Sequence, residues 1–394
     1  MMVILYLKKR ILVILFLLIA TLSGLVWHGI HQPAVTDIYR LRPEFPPLVF
    51  LPGSELGPRI YAAASILIES KSGAILYAKN ADQRRAPAST TKIMTAIVAL
   101  ERGDLRKIIT VSPLAAGTRG STIWLRPGDR LSLKELLEGV MLNSGNDGSM
   151  AVAEGVAGSI QNFTELMNMK AKEIGALNTN FRNPHGLRAP SHYTTALDLA
   201  LMARYGLANQ NFANLVKKKT AMLEWEEGRK AVEVRNTNRL LWYLEGADGV
   251  KTGTTNEAGY CLVASATRDR KQLIAVVLNS GDRWGDCQRL LEYGFQEFDI
   301  IKIAEARQAV AQIKIKKGWP ETTNLYPRSD LVAVVRKGER QMVTPEIKVY
   351  QNPVTAPLKP GQILGEIGYL YRGQQVNKVD LINLKPIRKS GWSW

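Results

Sequence analysis

The sequence predicts an α+β fold: an antiparallel sheet flanked by helices and interrupted by a helical insertion, with a second, all-β domain after it. Three observations carry this. Alternating, strand-like runs occur at 62–79 and again at 259–278. A stretch with helical spacing, 131–205, lies between them. Beyond about residue 302 only short alternating runs remain, separated by turns and prolines. Strands at both ends of a helical middle are the pattern of a sheet with helices packed on it. The 394 residues suffice for two or three domains with sizeable cores.

The elements follow in order. Lys8, Lys9 and Arg10 precede an apolar run from Ile11 to Trp27, the pattern of an export signal. The run approaches the length of a short membrane-spanning helix and is not followed by an A-x-A site. Residues 1–31 are therefore a cleaved signal peptide or an uncleaved anchor. Either way, the charge flank puts Lys8–Arg10 in the cytoplasm and everything after about His31 outside. Residues 32–57 hold several prolines and read as an extended linker. Ala62–Ser70 and Ala74–Lys79 form a hairpin about a Lys-Ser-Gly turn. A helix follows over Ala86–Leu100, with Pro87 and small hydroxyl residues at its start.

Leu131–Leu142 is amphipathic, and Ser132 with Glu135 makes a capping box. It stops at the polar turn Asn143-Ser144-Gly145-Asn146. Helices are predicted at Asp147–Val156, Gln161–Ile174 and Thr195–Tyr205, with a loop at Asn183–Leu187. Two apolar strands, Gly259–Ala266 and Gln272–Leu278, form a second hairpin, and Gly285–Phe298 is a helix. Ala311–Lys316, Leu331–Val335 and Ile347–Tyr350 mark the all-β module. A tail over 386–394 joins basic residues to two tryptophans, a composition suited to a membrane interface.

The formal charge of +17 fits either a solvated basic surface or one that faces a polyanion. No nucleic-acid-binding signature accompanies it. Cys261 and Cys287 are the only cysteines. They make at most one disulfide, and Cys261 sits in an apolar run suited to a core residue. The four histidines lack metal-ligand spacing, and neither a metal nor a cofactor is expected.

The chemistry is carried by three short motifs. Ser89 and Lys92 are three apart at the start of a helix, so they share a face. A desolvated lysine beside a serine can take its hydroxyl proton. Ser144-Gly-Asn146 lies between two helices, and Lys251-Thr-Gly253 lies on a strand paired to the next. The order S-x-x-K, S-D-N, K-T-G is that of the penicillin-binding proteins and class A β-lactamases, with glycine here in place of the aspartate.

Together with the run Pro-Ala-Ser89-Thr-Thr-Lys92-Ile-Met-Thr-Ala and the loop Asn183-Pro-His185-Gly-Leu187, these motifs resemble the exported serine-type D-alanyl-D-alanine carboxypeptidases, the low-molecular-weight penicillin-binding proteins. The resemblance covers about 58–385. It implies a penicillin-binding, β-lactamase-like catalytic domain over 58–300 with its insertion at about 104–220. It further implies a β-sandwich-like domain over 301–385. Ser89 is then the nucleophile, Lys92 its base and Ser144 a proton relay. Asn146, Lys251, Thr252, Gly253 and Thr254 bind substrate, and the N–H groups of Ser89 and Thr254 form the oxyanion hole.

The implied partners are peptidoglycan stem peptides ending in D-Ala-D-Ala, β-lactams as covalent inhibitors and the outer surface of the cytoplasmic membrane. The alternatives are a β-lactamase or D,D-endopeptidase on the same fold, or an inactive peptidoglycan-binding scaffold. Thr254 stands where some family members have histidine. No glutamate is identifiable that would activate a deacylating water, which argues against efficient β-lactam turnover. Arg188 and His185 are placed as wall residues of the site.

Overall fold

The computed structural model describes residues 46–226 and 230–390. The predicted export segment, residues 32–45 of the predicted linker and the tryptophans of the tail lie outside them. Among the described residues no helix is long and apolar enough to cross a membrane.

The sheet of the first domain has six strands. They are β1 (Val49–Phe50), β2 (Ala64–Glu69), β3 (Ala74–Lys79), β4 (Ala247–Thr255), β5 (Gly259–Arg268) and β6 (Lys271–Leu278), in the order β1-β3-β2-β6-β5-β4. The pairings are antiparallel except β1 with β3, which is parallel. Both predicted hairpins are present. Every residue of β2 is buried, as expected of a central strand covered on both faces.

The helices of more than one turn are α1 (Lys92–Arg102), α2 (Leu133–Leu142), α3 (Asn146–Ala157), α4 (Ile160–Glu173), α5 (Ala196–Leu207), α6 (Gln210–Val216) and α7 (Arg283–Glu297). The capping box at Ser132 is formed, with both reciprocal hydrogen bonds. Helices α1 to α6 share one apolar core with the sheet, including Ile66, Ile93, Met94, Val140 and Phe163. Helix α7 lies against β5 and β6 and, through Leu290 and Leu291, in a second core that runs on into the C-terminal domain.

Four expectations are corrected or resolved. The first helix does not begin at Ala86: a 3-10 turn over Ala88–Thr91 comes first, and α1 starts at Lys92. Ala88 has φ +48, which an α-helix does not accept. The linker predicted over 32–57 does not extend to 57. The apolar run Leu48-Val-Phe-Leu adds β1 to the sheet edge, and Leu51 is buried. The tail predicted from 386 is folded as far as Ser390. Ile387 is buried, and Arg388–Lys389 pairs with Gly318–Trp319. Cys261 and Cys287 are free and buried.

The C-terminal domain is built of strands. A six-stranded sheet contains Ala311–Lys316, Thr322–Pro327, Val343–Val349, Ile363–Tyr371 and Gln374–Ile382, and a two-stranded ribbon pairs Phe298–Ala304 with Leu331–Arg336. Its junction with the first domain is polar at the rim. Asn377 Nδ2 donates to Ser72 O (3.2 Å), Lys71 pairs with Asp330 (3.1 Å), and Arg336 donates to Gly53 O (3.3 Å).

Candidate active site

The 3-10 turn sets Ser89 where two other segments press on it. On one side β4, the edge strand, passes so close that a side chain at Gly253 would meet Ser89 N and Pro87 O at 3.0 Å. On the other side, Gly186 of the Asn183–Leu187 loop has φ +91, and a Cβ there would stand 1.8 Å from Ala88 O. Only glycine fits that position. The turn therefore lies in a slot between β4 and the loop, and Ser89 is partly exposed in it.

Lys92 opens α1 with no exposed surface. Its Nζ lies 3.0 Å from Ser89 Oγ, 2.7 Å from Asn146 Oδ1 and 2.7 Å from His185 O. Burial holds its pKa well below the usual lysine range. The nearby Lys251 charge adds to this, and the Asp147 carboxylate opposes it. A neutral amine has two protons, one for each of the carbonyl oxygens of Asn146 and His185. Its lone pair is then left for the Ser89 hydroxyl, which is the arrangement a general base needs.

Ser144 sits in the turn between α2 and α3 at φ +65, almost fully buried. The Asn146 amide is held at both ends, because its Nδ2 also donates to Arg119 O (2.7 Å). In this structure it orients Lys92.

The third motif lies along β4, where Lys251 and Thr252 are buried and Thr254 is exposed. Lys251 Nζ donates to Thr252 O (3.2 Å). Its pKa is lowered to about 7 by burial first and by the Arg283 guanidinium second. The hydroxyls of Thr252 and Thr237 lie 2.7 Å apart. Arg283 Nη1 donates to Thr254 Oγ1 (2.8 Å) and Gly253 O (3.1 Å), with its guanidinium over Trp284 and Tyr260. Hydroxyls and cations thus gather along this part of β4, a combination suited to a carboxylate.

Of the eight residues singled out in the sequence, Ser89, Lys92 and Asn146 are joined by hydrogen bonds and Gly253 closes on the Ser89 turn; Lys251, Thr252 and Thr254 share its strand, and Ser144 lies in the turn just before Asn146. Sequence reasoning missed four contributors. Arg283 follows a strand with no local signal. Thr237 lies in a run read only as strand-like. Asp147 was read only as a helix start. The fourth is the backbone carbonyl of His185, whose ring faces elsewhere and accepts from Leu187 N (3.1 Å). That ring is kept neutral, with its pKa lowered to about 3 by burial and by Lys92. Among the described residues Arg188 forms an exposed pair with Glu257 (3.5 Å), which contributes little.

The family profile described as D-alanyl-D-alanine carboxypeptidase matches residues 53–282. A second profile, the C-terminal domain of penicillin-binding protein 5, matches 298–389. The D-alanyl-D-alanine carboxypeptidase DacF of Bacillus subtilis is 37% identical over 340 residues, spanning 84% of this chain and 87% of its own. DacC of Escherichia coli, of the same description, is 34% identical and spans 85% and 86%. The structure of penicillin binding protein 5 from Haemophilus influenzae superposes with a TM-score of 0.76 at 30% identity. It covers 85% of this chain and 99% of its own.

Proposed function

The chain belongs to the D-alanyl-D-alanine carboxypeptidase family, and on that premise we propose that it is an exported, membrane-associated serine enzyme that removes the terminal D-alanine from peptidoglycan stem peptides. The observation that carries this reading is the buried Lys92 amine 3.0 Å from Ser89 Oγ. In the first step Lys92 takes the Ser89 hydroxyl proton as Oγ attacks the carbonyl carbon of the penultimate D-alanine. The N–H groups of Ser89 and Thr254 receive the oxyanion. An oxyanion-hole donor is worth about 10²–10³ in rate.

The C–N bond then breaks. The proton passes through Ser144 to the departing amine, which leaves as D-alanine, and Ser89 carries the acyl group. Water resolves the ester. Lys251, Thr252 and Thr254 hold the substrate's terminal carboxylate, with Arg283 supporting Thr254. Asn146 keeps Lys92 in line and bonds the substrate amide as the acyl group forms. A β-lactam enters the same first step, its ring amide opened by Ser89, and stays attached where deacylation is slow. Export rests on the basic and apolar N-terminal run of the sequence.

Incubation with labelled penicillin tests this directly. The unsubstituted chain takes up one label and releases D-alanine from a tripeptide ending in D-Ala-D-Ala; Ser89→Ala does neither. A labelled Ser89→Ala, or an unlabelled parent chain, overturns the reading.

A further inference from the structure

We propose that His192 is a positioning residue for the general base: its ring ties Thr91 to the root of the Asn183–Leu187 loop and so holds the His185 carbonyl on Lys92. The inference rests on the reading of Lys92 given above. Three residues at the start of α1 each take one contact from that loop or its root. Thr91 Oγ1 lies 2.9 Å from His192 Nε2, Lys92 Nζ donates to His185 O (2.7 Å), and Thr95 Oγ1 donates to Pro184 O (2.6 Å). Thr91, Lys92 and Thr95 have no exposed surface, and His192 is 8% exposed.

The two ring nitrogens have different jobs. Nδ1 lies 3.0 Å from Arg182 N. A backbone N–H can only donate, so Nδ1 is the acceptor. Burial lowers the ring's pKa to about 4, so at neutral pH the ring has one proton, and that proton is on Nε2. Nε2–H therefore donates to Thr91 Oγ1. One imidazole thus joins Arg182, the residue just before the loop, to Thr91, the residue just before the base.

The loop itself is tightly closed. Asn183 Oδ1 accepts from Gly186 N (2.7 Å), and its Nδ2 donates to Leu187 O (2.9 Å). At the root, Asn180 and Tyr193 exchange backbone hydrogen bonds of 2.9 and 3.1 Å. A loop closed on itself in this way moves as a body, so a tether at its root sets where its carbonyls stand. With the tether cut, Thr95 is left as a pivot and His185 O can draw away from the amine. Lys92 then loses one of the two acceptors for its protons, and its lone pair is no longer aimed at Ser89 Oγ. A displacement of about 1 Å in such a site costs up to about 10²-fold in rate.

Phe181 meets the same ring edge-on at 5.9 Å, so His192 also fills core space. Tethering and filling demand opposite replacements. Glutamine has one acceptor and one donor at its end, as the neutral ring does; phenylalanine keeps the bulk and has neither. The test uses the full chain and labelled penicillin, with initial binding and the acylation step separated by stopped flow. His192→Phe is expected to slow the acylation step about 10-fold or more and to leave initial binding within about twofold. His192→Gln keeps the step within about threefold of the parent. Thr91→Val, which removes the acceptor of the Nε2 proton, slows acylation as His192→Phe does and serves if that variant does not fold. With isotope-labelled histidine, a nitrogen–proton correlation spectrum of the parent shows the His192 proton on Nε2.

A His192→Phe chain that acylates like the parent, equal losses in the phenylalanine and glutamine variants, unslowed acylation in Thr91→Val, or a His192 proton on Nδ1 each overturns the tether. In all four cases the parent still takes the label, and the carboxypeptidase reading stands. A parent chain that takes no penicillin overturns that reading, and this inference with it.

Discussion

Two buried lysines face one slot, and their burial sets opposite demands on stability and chemistry. Lys251 has a folded pKa of about 7 against the ordinary 10.5. Between those values the unfolded chain binds more protons than the folded one. Stability from this group therefore rises as pH climbs from about 7 toward 10.5, and below about 7 the cost of burying the charge is felt in full. Among the described residues the Lys251 amine has a single hydrogen bond, to Thr252 O, so removing it orphans little. Lys251→Met is expected to raise Tm at pH 6.5, by about 2–4 °C for each kcal/mol recovered. The gain shrinks as pH approaches 10, and D-alanine release falls by at least about 10²-fold. Thermal melts across pH check this, and a Tm gain that grows with pH contradicts it. Lys92 differs, because Asn146 Oδ1 and His185 O depend on its protons. Truncating it leaves two buried acceptors unsatisfied.

Elements position these residues by close approach. Gly186→Ala is expected to destabilise by about 3 kcal/mol or more, since the new methyl combines a forbidden φ with a clash against Ala88 O. It also displaces the Ser89 turn, so penicillin acylation slows even in molecules that fold. Stopped-flow acylation beside a denaturant melt separates the two effects. Unchanged acylation at unchanged stability would contradict the slot. The strands and helices were legible because period-2 and period-3.6 patterns are local, as in β5, β6 and α2 with its capping box at Ser132. The motif residues were legible because their types and order are tied to one chemistry. Arg283 and Thr237 were not, because they act through partners distant in sequence, Thr254 and Thr252. The edge strand β1 was hidden by prolines on either side of four apolar residues.

At the scale of the molecule, one core crosses the domain boundary. Leu67, Tyr77, Leu273 and Leu290 of the first domain share a cluster with Val334, Tyr369 and Leu381 of the second. Domains joined through a continuous apolar core unfold together. Scanning calorimetry of the full chain is expected to show one transition that includes the C-terminal domain. Two resolved peaks would mean that the shared core contributes little to the coupling.

Arg204 has a consequence for reach. Its guanidinium, largely buried, donates to the carbonyls of Ser70, Lys71 and Pro46, which pins residue 46 at the β2–β3 turn. Strand β1, which follows, is one outer edge of the sheet, and β4 is the other. Five strand spacings of about 4.8 Å separate them, roughly 24 Å. Force applied to the chain before Pro46 therefore enters the sheet at the edge remote from Ser89. On the proposed reading, the edge that carries the chemistry is left unloaded.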